Sequence, residues 1–303
     1  MKKVVKNNLL QIIIFVALIA IGIYYLFFDF KPNYIDMTSF NEMLKNTNMC
    51  ASEKYQNTDY CIEYITNGKV VNHQPVLDIF FNVIEYSPLG YLNILAAFIL
   101  GIVSIKNISK ILNSRFAKYY LTREDYSSFK KRIFISILKY IIYFPLMYLI
   151  LYIICCFLGN WDLTGAEGFD ANILVFGSKT IIIYLLNVGI MSLIYLLISI
   201  ITVRIVNNYY LGIVLNYLIY FGLSIFMEIY VRGIIFYGYF SLDTYSYFLF
   251  FNAFNLRDIP NLFIYFGVRI LVAGILFIIS LNMYKDKESF VKYLEKKEVV
   301  QWK

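Results

Sequence analysis

One histidine, four cysteines and one lysine-bearing glycine turn are where chemistry could begin in this chain of 303 residues. His73 stands alone, so an H-E-x-x-H zinc site or a multi-histidine haem or di-iron centre lacks its second imidazole. It reads as a solvated loop residue. The stretch FGSKT at 176–180 has the look of a phosphate loop, but a nucleotide-binding loop needs glycine directly before the lysine. Here Ser178 separates Gly177 from Lys179, and Asn172 stands where an early glycine would help. No catalytic constellation, metal site or cofactor is therefore expected within the chain, which reads as a non-enzyme. Cys50 and Cys61 have ten residues between them; they either close a disulfide in an oxidising exterior or remain thiols. Adjacent Cys155 and Cys156 fall in an apolar run and read as packing residues.

Three ionisable residues lie in apolar surroundings: Glu228, Arg232 and Arg269. A charge at the centre of a lipid-facing helix costs at least about 2.5–3.5 kcal/mol, so each needs protein or water around it. Glu228 and Arg269 fall at similar depth near the ends of two apolar runs. Either they pair, or each side chain reaches separately for the interface.

The elements that hold these residues follow from composition. Apolar residues make up 60% of the chain and charged residues 16%, against about 45–50% and about 25% in a soluble domain. A bilayer accepts such a surface, and tyrosine-rich aromatic content suits its interfaces. A transmembrane barrel would alternate in polarity over segments of about ten residues, and no such alternation occurs. The expectation is an all-α polytopic membrane protein with six spans of about twenty residues each, near 9–28, 87–105, 133–158, 180–203, 209–229 and 262–283.

Lys and Arg counts orient the spans. The loop 106–132 carries eight bases against Glu124 and Asp125, whereas 159–178 has no base and three acids. The tail after Tyr284 has six lysines and four acids, and 29–86 has four lysines against eight acids. With both termini cytoplasmic, every base-rich segment lies inside a cell (plasma) membrane. The net charge of +7 is then a product of topology, with the lipid bilayer as partner and no nucleic acid.

This gives a basic N-terminal segment and first span at 1–28, an extracellular segment at 29–86, and a five-span membrane domain at 87–303. That domain contains the cytoplasmic stretch 106–132, the segment 230–261 and the tail 284–303. Residues 230–261 hold Arg232, Asp243, Arg257 and Asp258 and read as a re-entrant hairpin on the outer side, a candidate gate. The extracellular segment is too small to bury much core of its own. Its end, VLDIFFNVIE at 76–85, reads as an amphipathic helix on the outer interface. Ile105, Ile108, Leu112, Phe116 and Tyr119 form one helical face leading into the cytoplasmic loop. In LTREDYSSFKKR, 121–132, Thr122 precedes Asp125 by three residues in the manner of an N-cap, acids open the helix and bases close it. A helix this short persists only when packed on something.

Six spans, a short polar cytoplasmic helix between the second and third, and an outer hairpin after the fifth resemble the permeases of type-2 ATP-binding-cassette (ABC-2) exporters. The LTREDYSSFKKR stretch is similar to their coupling helix, an "lt-R-x-x-x" core followed by bases. The Glu and Gly-Thr that often precede that core are replaced here by ILNSRFAKYY. The resemblance implies that helix 122–132 seats in a separate cytoplasmic ATPase through Thr122, Arg123, Tyr126 and Phe129. It also implies a second permease subunit, the same chain or a relative, with ATP and Mg held by the ATPase. The substrate class would be an amphipathic peptide or a lipid-like molecule. The alternative is a non-transporting sensor, immunity or assembly protein whose extracellular segment binds a peptide or antimicrobial.

Overall fold

The computed structural model describes residues 2–35, 37–52, 54–70, 76–113, 121, 125–159, 180–206, 208–239, 262–288 and 290–291. The described residues are helical, with no strand. The helices are α1 (Lys2–Tyr25), α2 (Thr38–Thr47), α3 (Asp59–Asn67), α4 (Val76–Tyr86), α5 (Leu92–Asn113), α6 (Tyr126–Leu138), α7 (Tyr143–Leu158), α8 (Thr180–Ile205), α9 (Tyr209–Phe226) and α10 (Leu262–Met283). Five runs are long and apolar enough to cross a membrane: Ile12–Pro32, Tyr126–Leu158, Ile181–Ile205, Tyr209–Ile235 and Phe266–Met283. Helix α5 carries a shorter apolar stretch, Leu95–Ser109. The chain is thus a multi-pass helical membrane protein.

The chain divides into two compact units, the first made of residues 1–90, 147–169 and 174–178. In it α1 continues without a break as a π-type helix, Leu26–Ile35, carrying Asp29, Lys31 and Pro32 past the expected end of the first span. Gly22 lets α1 approach α7 closely, since a Cβ there would lie 2.8 Å from a Leu151 methyl. Between α1 and α4 sits a small cluster of buried residues, few in number as so short a segment leads one to expect. A disulfide joins Cys50 to Cys61 with a Cα–Cα distance of 5.2 Å. Leu44 and Val70 pack with it, flanked by Met37, Phe40, Met49, Tyr55, Tyr60 and Tyr64. The Asn41 side chain fastens the far end, accepting from the Val70 N–H at 2.8 Å and donating to its carbonyl at 2.9 Å. Bridge and fastener together replace the apolar area that so short a segment lacks.

The expected helix at 76–85 is present as α4, but its apolar face is covered by protein instead of lying open at an interface. Val76, Leu77, Ile79, Phe80, Phe81, Val83 and Ile84 are all buried. Phe80 meets Tyr152 and Tyr148 of α7 edge-on, with centroids 5.5 and 6.5 Å apart.

The second unit comprises residues 91–146, 170–173 and 179–303, and α8 is its central helix, packed against α5, α9 and α10. Every residue from 194 to 203 is buried, as expected of a helix apolar on all sides. Three of its small hydroxyl side chains reach carbonyls one turn back: Ser192, Ser199 and Thr202 lie within hydrogen-bond distance of the Val188, Tyr195 and Ile198 carbonyls. On α5 the predicted face is inside, with Ile105, Ile108 and Leu112 buried.

Two boundaries differ from expectation. From Tyr126 onward, the expected short helix and the third span are one run. Asp125 stands in extended backbone before α6, and α6 passes through a 3-10 turn, Lys139–Ile142, into α7. The run Tyr126–Leu158 has 33 residues, about 50 Å of helix, against about 30 Å of hydrocarbon core. The polar first turns are therefore surplus to a crossing, with no break between them and the apolar part. Likewise α9 does not turn back at residue 230. It continues as a π-type helix, Met227–Tyr239, because the run after Phe226 stays apolar enough to extend the same helix. Residues 240–261, with the rest of the expected hairpin, lie outside the described residues, as do His73 and the FGSKT stretch up to Lys179.

Candidate functional site

Two places in the second unit gather the residues singled out from sequence. The first lies between α8, α9 and α10. Arg269 on α10 is fully buried, one of the largest side chains in that condition among the described residues. It donates through Nη1 to the Asn187 side-chain oxygen on α8, also fully buried. The Tyr220 hydroxyl on α9 lies within electrostatic reach of the guanidinium, and the Tyr220 ring meets Tyr195 of α8 edge-on at 4.9 Å. A charge held this way sits among amides and aromatic rings, an environment that stabilises it in place of water.

Of the two alternatives for Glu228 and Arg269, an ion pair between them is not present among the described residues. Glu228 Oε1 is 3.0 Å from Arg232 Nη1, one helical turn away, with both side chains largely covered. The neighbour on the same helix wins because it needs no approach between helices.

A second polar contact ties the same bundle together. Asn216 of α9 donates to the Ala97 carbonyl of α5 at 3.2 Å and accepts from the Ser199 hydroxyl of α8 at 3.1 Å. Gly101 makes this possible, since a Cβ there would stand 2.5 Å from Asn216 Nδ2.

The other place is the end of the unit where α8 and α10 finish and α6 begins. Phe129 is fully buried, with its ring 5.6 Å from Phe290. The Tyr126 ring is 5.9 Å from Phe290, and its hydroxyl donates to the Tyr284 carbonyl at 3.0 Å. Phe134, one face further along α6, packs edge-on against Phe277 and Tyr284. Arg204, near the end of α8, lies over the rings of Phe290 and Tyr284 at 5.2 and 5.9 Å. Its Nε donates to the Met283 carbonyl at 3.3 Å, capping the end of α10. The Tyr284 hydroxyl donates to the Ile200 carbonyl at 3.4 Å.

The docking role expected for Tyr126 and Phe129 needs open rings, and these two face their own C-terminal segment. Thr122 and Arg123 lie outside the described residues. On the opposite side of the first turns of α6, Asp125, Ser127, Ser128 and Lys131 are exposed. Sequence reasoning missed Phe290, Tyr284 and Arg204. Aromatic residues at 284 and 290, flanking a charged run, were the available signal. No protein-family model matches the chain, and no curated protein or solved structure matches it.

Proposed function

We propose that this chain is the transmembrane permease subunit of an ABC-2-type exporter, with six spans and both termini cytoplasmic. It works as a dimer with a copy or a relative and is driven by a separate ATPase that binds ATP and Mg. What supports this reading is the convergence at one end of the bundle. The ends of α8 and α10 and the start of α6 meet there, the three ends that Lys and Arg place together on one side of the membrane. On this reading α5 is the remaining span, and the disulfide-closed subdomain is extracellular, where oxidation is permitted.

The coupling residues are reassigned. Thr122, Arg123 and the exposed Ser127, Ser128 and Lys131 meet the ATPase, while Tyr126 and Phe129 anchor the coupling segment to α8 and α10. Movement of the segment then reaches α10 directly, and with it Arg269. Arg269 marks the route or a hinge beside it, and an amphipathic peptide or lipid-like molecule with an anionic group is the substrate class its charge favours.

The test is co-purification of the tagged full chain from its native membranes. A Walker-motif ATPase should accompany it, and Ser128→Glu with Lys131→Glu should reduce its recovery about tenfold or more, as for loss of a charged contact. Recovery of the chain without any ATPase counts against the reading. An undiminished complex in the double variant counts against the docking face alone. The disulfide-closed subdomain, with its own core, favours a second reading as a peptide sensor. That reading gains if peptide binding maps to residues 37–70 and no ATPase is found.

A further inference from the structure

We propose that Lys106 and Lys139 together hold the headgroup of an anionic phospholipid on the exposed side of α5 and the α6–α7 run, with its acyl chains laid on the apolar residues beside them. Each lysine interrupts an otherwise uncharged face. Lys139 is the one charged residue between Ile133 and Leu158, and its side chain is exposed. Its neighbours on the same helical face are Ile135, Ile142 and Leu146, exposed by 57, 60 and 40%. It opens the 3-10 turn Lys139–Ile142, ahead of Pro145, which lacks the N–H that an α-helical turn there would use. Lys106 ends the uncharged stretch that begins at Leu92 and is half-buried. Leu95, Phe98 and Ile102 lead to it at spacings of three, four and four, so they share its face. Of these, Leu95 and Phe98 are exposed.

One contact brings the two stripes together. The Asn107 side-chain amide donates to the Tyr140 hydroxyl, so positions 107 and 140 face each other. With α5 as a span, a point on which this site rests as the exporter reading does, the two helices run in opposite directions. In an antiparallel pair, the residue before each facing position is turned about 100° toward the same side. Those residues are Lys106 and Lys139. Lys139 Nζ also lies over the Tyr140 ring, 4.9 Å from its centroid, which draws the ammonium toward the junction. Among the described residues no carboxylate pairs with either lysine. Two such charges beside hydrocarbon are costly unless a counter-charge meets them. A headgroup phosphate supplies it at the depth that long lysine stems can reach, and its acyl chains match Phe98 and Ile102 on one helix and Ile142 and Leu146 on the other.

Native mass spectrometry of the purified full chain, titrated with phosphatidylglycerol or with phosphatidylcholine of the same chains, reads the site. The first phosphatidylglycerol should bind about tenfold or more tighter than phosphatidylcholine. Lys106→Ala and Lys139→Ala should each weaken it about fivefold, and together about twenty-five-fold. Lys287→Ala, which removes the same charge from an exposed position elsewhere, should leave it unchanged. Equal weakening by Lys287→Ala would overturn the proposal, because net charge alone would then hold the lipid. Equal retention of the two lipids, or unchanged binding in the double variant, would overturn it too. Displacement of the lipid by inorganic phosphate at equal concentration would make this a site for a free anion and sink the lipid assignment. Should Lys139→Ala not accumulate, Lys139→Gln keeps the side chain's polarity without its charge, and the same fivefold loss is expected. These outcomes are read without an ATPase, so the lipid site and the exporter reading can fail separately.

Discussion

Arg269 on α10 and Asn187 on α8 are joined by a hydrogen bond between two fully buried side chains. The donor is charged and the acceptor neutral, so the contact orients the guanidinium without neutralising it. Asn187→Leu removes an acceptor from a buried charge and should cost about 1–3 kcal/mol. Asn187→Gln should recover part of it by keeping an amide oxygen in reach. Thermal unfolding in detergent, followed by α-helical signal, measures both. Equal stability of the parent and Asn187→Leu would show that Arg269 relies on other groups.

The charge pairing on α9 is local, and a double-mutant cycle should show it. Glu228→Gln and Arg232→Gln should be coupled by about 0.5–1 kcal/mol, the scale for a partly covered ion pair. Glu228→Gln and Arg269→Gln should be additive. Coupling in the second cycle and none in the first would restore the pairing across helices.

Gly101 and Asn216 form a size constraint between α5 and α9. Gly101→Ala places a methyl carbon 2.5 Å from Asn216 Nδ2, which must move and give up its bond to the Ala97 carbonyl. The expected loss is about 1–3 kcal/mol. Gly222, whose Cβ position has open space, serves as the control, since Gly222→Ala should be neutral or slightly stabilising. Unfolding midpoints of the two variants compare them directly.

The disulfide should matter only locally. Its loop is short, so the entropic model gives about 2–3 kcal/mol, within a subdomain whose other buried members are Leu44 and Val70. Cys50→Ser with Cys61→Ser should make residues 37–70 sensitive to added protease while α8 and α9 remain protected. Resistance equal to the parent would mean that the aromatic shell alone holds the subdomain.

Periodicity and apolar length made much of the helical fold legible. Apolar length located the long spans, and the face Ile105, Ile108, Leu112 is buried as its spacing predicts. Helix boundaries were less legible. Lys130, Lys131 and Arg132 look like a terminus, yet the helix runs through them, because straight-chain basic residues are good helix formers and carry no stop signal. The partners of Glu228 and Arg269 stayed open in the sequence for a related reason. Depth along a span can be counted from sequence, whereas rotation about its axis cannot, and rotation turns Arg269 toward Asn187. The role of Phe129 depends on a residue far along the chain, and no local pattern links position 129 to position 290.

That separation has a consequence for how the protein is made. Tyr126 and the carbonyl it bonds at Tyr284 are 158 positions apart. At about 5–20 residues per second of synthesis, roughly 8–30 s pass between them. Throughout that interval α6 has been produced while the segment that covers it has not. Until Phe290 is made, the Phe129 ring lacks the aromatic partner it has in the finished chain.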